Sequence, residues 1–293
     1  IQDGCHRFCN YCIVPYLRGI PKSKKIDEII TDIASYTRYN YYSSKLQEVI
    51  FTAINTESFG HDTNESLVKL IDVSIHQTKI PRISFGSIHP WSINGEFIEC
   101  YKRLSVNPRF SNFFHVPIQA GSNKMLRLMK RDYVREDILE KFNQIQKINP
   151  HILIATDIIV GYLDETDQDF QDTYSFLEKS PINKFHVFRF SVRQNTAAFY
   201  QKKRLKEPSL QDKIRRAKAL SDLNIKKYQN FLANQVGTTS QALFIGERKD
   251  GYQKALLNNQ VPIFVLTSKN LNGEMRNVEV TEHKKESLWG GVF

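Results

Sequence analysis

The chain has 293 residues, with 41 Lys and Arg against 31 Asp and Glu, a formal net charge of +10, and 41% hydrophobic and 12% aromatic residues. That is core enough for one large domain or a large and a small one, and it excludes disorder for the bulk of the chain. No apolar run approaches the ~20 residues of a membrane span and no leader pattern is read at the start, so a cytoplasmic, membrane-free protein with a polyanionic partner is expected.

The chain opens on IQDGCHRFCNYC, where three of its four cysteines, Cys5, Cys9 and Cys12, fall within eight residues. A disulfide framework does not suit an odd cluster in a chain this long. A metal site does. Three thiolates fit a 4Fe–4S cluster that keeps one iron open for a substrate such as S-adenosylmethionine. Zinc is the alternative, with His6 as a badly placed fourth ligand. Tyr11, just before the last cysteine, is placed to lay its ring against an adenine. Cys100 sits in an apolar helical pattern and reads as core.

Further along, β-rich runs alternate with amphipathic ones. Strands are predicted over Glu48–Ile54, Arg82–Ile88, Phe113–Gln119, Ile152–Gly161 and Lys184–Ser191, after a first strand at or before Ile1. Helices are predicted over Ile26–Tyr39, Ser66–Gln77, Asn94–Leu104, Arg135–Ile148 and Asp167–Lys179. A strand-then-helix repeat of this kind argues for parallel βα units, here an α/β fold with an incomplete (β/α)6 barrel. Chemistry in such barrels sits at the carboxyl ends of the strands, where the cysteine loop falls.

Asn195–Ser209 reads as a linker and Leu210–Gln235 as a long helix. Short runs at Ala242–Gly246, Tyr252–Leu256, Val261–Leu266 and Asn277–Val280 are split by turn dipeptides and suggest a small β-barrel. The expected domains are 1–235 and 236–283, with 284–293 a frayed tail.

The stretch IQDGCHRFCNYCIVPYLRGIPKS resembles the methylthiotransferase branch of the radical S-adenosylmethionine enzymes, with its Cys-x3-Cys-x2-Cys signature and Ile-Val-Pro-Tyr-x-Arg-Gly continuation. FHVPIQAGSNKMLRLMKRDY, DIIVGYLDET and FHVFRFSVRQNTAA resemble further segments of that family, and DGYQKALLNNQVPIFVL resembles its TRAM domain, a small RNA-binding β-barrel. The resemblance implies that Cys5, Cys9 and Cys12 hold the cluster. It also makes Ala53, Asn55, Ser87, Gln119, Gly161 and Arg193 candidates for the cofactor site. Ala53-Ile54-Asn55 stands where many radical enzymes carry a glycine-rich segment, and Gly161 would let backbone approach a ligand closely. Arg18 is a candidate for the open face, with an anionic group in view.

The resemblance further implies a reaction. An electron passes from the cluster to S-adenosylmethionine, and the resulting radical takes hydrogen from C2 of an adenine beside a tRNA anticodon. Sulfur and then methyl are installed there. RISFGSIHP resembles the threonylcarbamoyl branch in its Ser-Ile-x-Pro form and the isopentenyl branch in its His89, while FHVFRFSVRQNTAA and DGYQKALLNNQVPIFV favour N6-threonylcarbamoyladenosine as substrate over the isopentenyl nucleoside. Implied partners are the tRNA anticodon stem-loop, a reducing electron donor and a sulfur donor, and a monomer is expected. Family members begin with a domain whose three further cysteines hold an auxiliary 4Fe–4S cluster. A chain starting at Ile1 is therefore expected to be a fragment. The rival readings are an RNA-binding module with a structural cluster and another radical enzyme on the same barrel.

Charge is concentrated between Lys202 and Lys227, with ten basic residues against three acidic ones. Lys202, Lys203, Arg215 and Arg216 are the candidates for phosphate contacts. Tyr36 to Ser44, rich in tyrosine, is expected to seal a helix end or to stack on bases.

Overall fold

A computed structural model describes residues 1–38 and 46–293; most of the Tyr36–Ser44 stretch lies outside them. The first element, β1 (Gln2–Asp3), pairs antiparallel with β2 (Lys22–Ser23), framing the cysteine loop and the short helix α1 (Val14–Arg18). A parallel bridge from Gln2 to Ala53 sets β1 beside β3 (Glu48–Phe51). Helix α2 (Ile26–Arg38) lies between β2 and β3 in the chain, and α3 (Leu67–Gln77) leads from β3 to β4 (Arg82–Phe85). Then come α4 (Gly95–Leu104), β5 (Phe113–His115), α5 (Asn123–Leu128), α6 (Arg135–Ile148), β6 (Leu153–Val160), α7 (Asp167–Lys179) and β7 (Lys184–Arg189).

The pairs β3–β4, β5–β6 and β6–β7 are parallel, and Ile83↔Phe110 joins the two groups. The strands therefore form one arc in the order β1, β3, β4, β5, β6, β7, as the βα repeat predicts. They are shorter than expected because each chain leaves the ladder before its carboxyl-end loop. Alternate residues split the faces of β6: Ile154, Thr156, Ile158 and Val160 are buried at 1% exposure or less, whereas Asp157 and Ile159 are partly open. Period-2 side-chain geometry puts Asp157 and Ile159 on the lumen face.

Helix starts follow side-chain capping. Ser66, Asn94 and Ser209 each accept an N–H three residues on, and Thr166 with Asp169 closes a capping box on α7.

The segment 195–209 is more ordered than a linker. Thr196 caps a helix, α8 (Ala197–Gln201), whose Ala198 is fully buried and donates its N–H to the Asn10 carbonyl in the cysteine loop. Helix α9 (Leu210–Ala233) packs on β7.

After α9, five strands close into a barrel: β8 (Thr239–Lys249), β9 (Tyr252–Leu257), β10 (Pro262–Leu266), β11 (Met275–Lys284) and β12 (Ser287–Val292), in the order β10-β12-β11-β8-β9. This is consistent with a TRAM-like domain. The tail expected over 284–293 is instead largely the closing strand. β12 pairs parallel with β10 and antiparallel with β11, and Leu288 is completely buried. Its glycines disguise it as a strand: Gly290 is required because a Cβ there would lie 2.0 Å from the Glu279 carbonyl oxygen.

The small barrel docks on the amino ends of the arc strands. Fully buried Arg82, opening β4, donates to the carbonyls of Leu256 and Leu257 and pairs with Glu48 of β3 at 2.9 Å. Asn258 and Asn259 in the β9–β10 turn bond to Asn112, Pro108 and His151. The cysteine loop lies at the opposite, carboxyl ends. No described helix is long and apolar enough to cross a membrane.

Candidate functional site

The cysteine loop is held at both ends. Gly4 takes φ +77°, and a Cβ there would lie 2.2 Å from the Ile20 carbonyl oxygen, so only glycine fits ahead of Cys5. The Cys5 N–H reaches the Gly19 carbonyl, the Cys12 N–H the Cys9 carbonyl, and Asn10 bonds to the end of α5 through the carbonyls of Leu128 and Met129. All three thiols open into a cavity of about 300 Å³, at the lower end of small-molecule sites.

Among the described residues the three sulfurs are not gathered within 4.8 Å of one another. A closed zinc site would need a fourth protein ligand beside the three thiolates. His6 is engaged elsewhere, its Nδ1 3.3 Å from Ser58 Oγ. Burial pushes the Cys5 and Cys12 thiols above their ordinary range, so cation binding must drive their ionisation.

Five of the seven cofactor-site candidates line this cavity: Tyr11, Ala53, Asn55, Ser87 and Gln119. Their roles differ from simple ligand contact. The Tyr11 phenol accepts from Arg131 at 2.7 Å. Asn55 caps the turn at Thr56–Ser58, and its amide is spent on Glu57 and Ser58. Ser87 Oγ lies 2.8 Å from His115 Nδ1. Gln119 holds a left-handed φ of +73° because its N–H and C=O bridge Asp157 and Ile159. Such backbone strain gathers at functional sites.

Gly161 and Arg193 do not line the cavity. Gly161, at φ +74°, makes room for a side chain rather than a ligand: a Cβ there would lie 2.3 Å from Lys213 Cγ. Arg193 is exposed, and its carbonyl caps Thr196. Arg18 is exposed and pairs with Asp3 at 3.3 Å.

The structure adds a stack that no local pattern signals. Arg7, Trp91 and Arg131 come from three loops, with the two guanidinium carbons 4.2 and 4.9 Å from the Trp91 ring centroid. Asp132 fixes the stack by accepting from Arg7 at 2.7 Å and from Trp91 Nε1. The Nε atoms of Arg7 and Arg131 are buried without a partner. Two unpartnered guanidinium donors beside three thiols fit a small ligand carrying a carboxylate.

His89, also on the wall, accepts the Thr56 N–H on Nδ1. Burial, with Arg131, His115 and Arg7 nearby, lowers its pKa to about 3. The folded state therefore binds fewer protons than the unfolded state between about pH 3 and 6.5, and stability falls as pH drops through that window. We expect about 1–2 kcal/mol to be lost between pH 7 and 5, and a flatter profile for His89→Gln, read by chemical denaturation.

The basic segment divides. Arg216, with 4% of its side chain exposed, pairs with Glu165 at 2.7 Å and with Asp167, so burial removes it from any phosphate surface. Arg215 remains half exposed but is paired with Asp167 and Asp212, and Lys202 is paired with Glu207. Lys203 is exposed, and among the described residues no ion pair to it is found. Lys213 is buried against the Phe190 carbonyl and Glu207, and Lys227 bonds to the carbonyls of Glu178 and Ser180, with burial lowering its pKa to about 8.

A parallel six-strand arc with three cysteines on its first carboxyl-end loop defines a class of iron–sulfur barrel enzyme. Residues 1–177 match the model of the radical SAM superfamily, and the chain belongs to that superfamily. It is 31% identical over 301 residues to the tRNA-2-methylthio-N(6)-dimethylallyladenosine synthase of Petrotoga mobilis, covering 99% of this chain and 64% of that protein. It is 30% identical over 270 residues to the threonylcarbamoyladenosine tRNA methylthiotransferase MtaB of Bacillus subtilis, covering 87% of this chain and 57% of that protein. The chain thus spans less than two thirds of either relative. Among solved structures, coproporphyrinogen III oxidase from Escherichia coli superposes with a TM-score of 0.54 at 12% identity, over 98% of this chain and 69% of that one. That likeness speaks to the fold alone. Membership of the superfamily implies a 4Fe–4S cluster and S-adenosylmethionine; the three thiols fit the first, and the unpartnered Nε donors of Arg7 and Arg131 fit the second, although Arg7 also pairs with Glu57 at 3.0 Å.

Proposed function

We propose that the chain is the radical and RNA-contacting portion of a cytoplasmic tRNA methylthiotransferase that acts at C2 of N6-threonylcarbamoyladenosine beside the anticodon. The observation that carries this is the meeting of Cys5, Cys9 and Cys12 with the Arg7–Trp91–Arg131 stack in one cavity at the carboxyl strand ends. When bound, the cluster and S-adenosylmethionine supply a reductively formed carbon radical able to take hydrogen from an aromatic C–H. Cys5, Cys9 and Cys12 would hold the cluster at the mouth of this cavity. Arg7 and Arg131 take the carboxylate of S-adenosylmethionine, and Tyr11 keeps Arg131 in place. The dimethylallyl nucleoside is the second reading, supported by a relative of that name aligned along 99% of the chain.

The C-terminal barrel supports RNA contact. Trp289 stacks on Phe264 at 5.0 Å, with Tyr252 edge-on and Lys284 over its ring, a platform of the kind that holds unpaired bases. Lys203, with its neighbour Lys202 and the half-exposed Arg215, is the part of the basic segment left to meet phosphates. An electron donor, a sulfur donor and an auxiliary cluster outside this chain complete the proposed reaction.

Anaerobic reconstitution tests the reading. The chain is expected to take up about four irons and, with a strong reductant, to convert S-adenosylmethionine to deoxyadenosine. The triple Cys→Ala variant should do neither. Retention of the cluster absorbance in that variant would refute the assignment.

A further inference from the structure

We propose that His115, Asp157 and His186 form a binding site for a divalent transition-metal ion, on the lumen wall of the arc beside the cysteine cavity. The strand registers assemble it. His186 of β7 lies directly opposite Asp157 of β6, and His115 of β5 lies opposite Ala155, two residues before Asp157. Period-2 geometry then sends all three side chains to one face, the partly open lumen face.

Two of the three donor separations already suit one ion, and the third needs at most a small movement of the exposed His186 ring. Asp157 Oδ1 is 3.0 Å from His115 Nε2 and 3.4 Å from His186 Nδ1, and one donor atom from each residue lies within 4.8 Å of the others. Bonds of about 2.0–2.1 Å to nitrogen and oxygen put neighbouring donors roughly 2.9–3.4 Å apart in octahedral or tetrahedral shells. The His115 ring is oriented from behind, since Ser87 Oγ holds Nδ1 at 2.8 Å and leaves Nε2 facing the carboxylate. Metal-binding imidazoles are held by just such an outer partner. Two imidazoles and one carboxylate select zinc, ferrous iron or cobalt over calcium and magnesium, which prefer all-oxygen shells. His186 is 56% exposed on its side chain, so an entry path for the ion exists.

The site shares no residue with the thiol cluster, and the proposal holds whatever nucleoside the chain acts on. Its test reads metal directly. The full chain with Cys5→Ser, Cys9→Ser and Cys12→Ser is titrated with cobalt(II) and zinc(II) by calorimetry and visible absorption, and zinc is then counted in the iron–sulfur-reconstituted chain. One equivalent is expected in both, with cobalt d–d bands. His186→Ala, at an exposed position that spares the fold, and Asp157→Asn should each weaken binding at least about tenfold, and Ser87→Ala by about 10–100-fold. Thermal unfolding checks that each variant is folded. No saturable binding below about 1 mM would overturn the proposal and leave a hydrogen-bonded His–Asp–His array, as would binding that persists unchanged in His186→Ala and Asp157→Asn.

Discussion

Arg82→Met is expected to destabilise the protein by about 3–5 kcal/mol, the usual cost of leaving a buried charge without its partner. Arg82 is completely buried, and the side chain of Glu48 is 11% exposed. Removing the guanidinium strips Glu48 of its counter-ion and leaves the Leu256 and Leu257 carbonyls without the donor that ties the small barrel to the arc. Ser84 and Gln260 still donate to Glu48, but neither carries charge. Chemical denaturation should show the loss, and limited proteolysis should find the C-terminal barrel newly open to cleavage. Adding Glu48→Gln should recover part of the stability, because it removes the orphaned charge while keeping an acceptor. Unchanged denaturation midpoints would show that the pair is not what couples the two barrels.

Truncation after Glu286 is expected to unfold the C-terminal barrel. The deletion removes β12, which joins β10 to β11 and buries Leu288 completely. Leu288 alone accounts for about 2 kcal/mol of apolar burial. Without β12, two strand edges open beside Ile263, Val265, Val278 and Val280, all of them buried in the intact barrel. Loss of strand signal by circular dichroism and aggregation on expression are the expected results. The arc should keep its own core, so iron uptake on reconstitution should survive. A truncated chain with native thermal stability would contradict the closing role of β12.

Both predictions concern features that a linear reading handles badly, and the reason is physical. Periodicity reports how a segment meets a surface. It located the five predicted strands and the long helices, and the spacing of Cys5, Cys9 and Cys12 marked the loop, because each signal lies within a few residues. Gly290 and Gly291 carry no side chain to show a period, so β12 read as a tail.

Adjacent residues can also meet opposite fates. Arg215 and Arg216 look alike in a basic run, yet a step of about 100° around α9 leaves one half exposed and buries the other against Glu165. Gly161 showed a need for close approach, but whether a ligand or Lys213 approaches is a tertiary fact.

The sequence by itself determined the βα order, the small barrel, the three-thiol loop and the family. Tertiary structure decided which strand ends face each other and what meets there. It put the small barrel at the amino ends and the thiols at the carboxyl ends. It brought Arg7, Trp91 and Arg131 from three loops into one stack, and His115, Asp157 and His186 from three strands onto one face. Such groups are separated by tens of residues along the chain and by a few ångströms in space. Only parallel strand pairing, which aligns distant segments in register, brings them together.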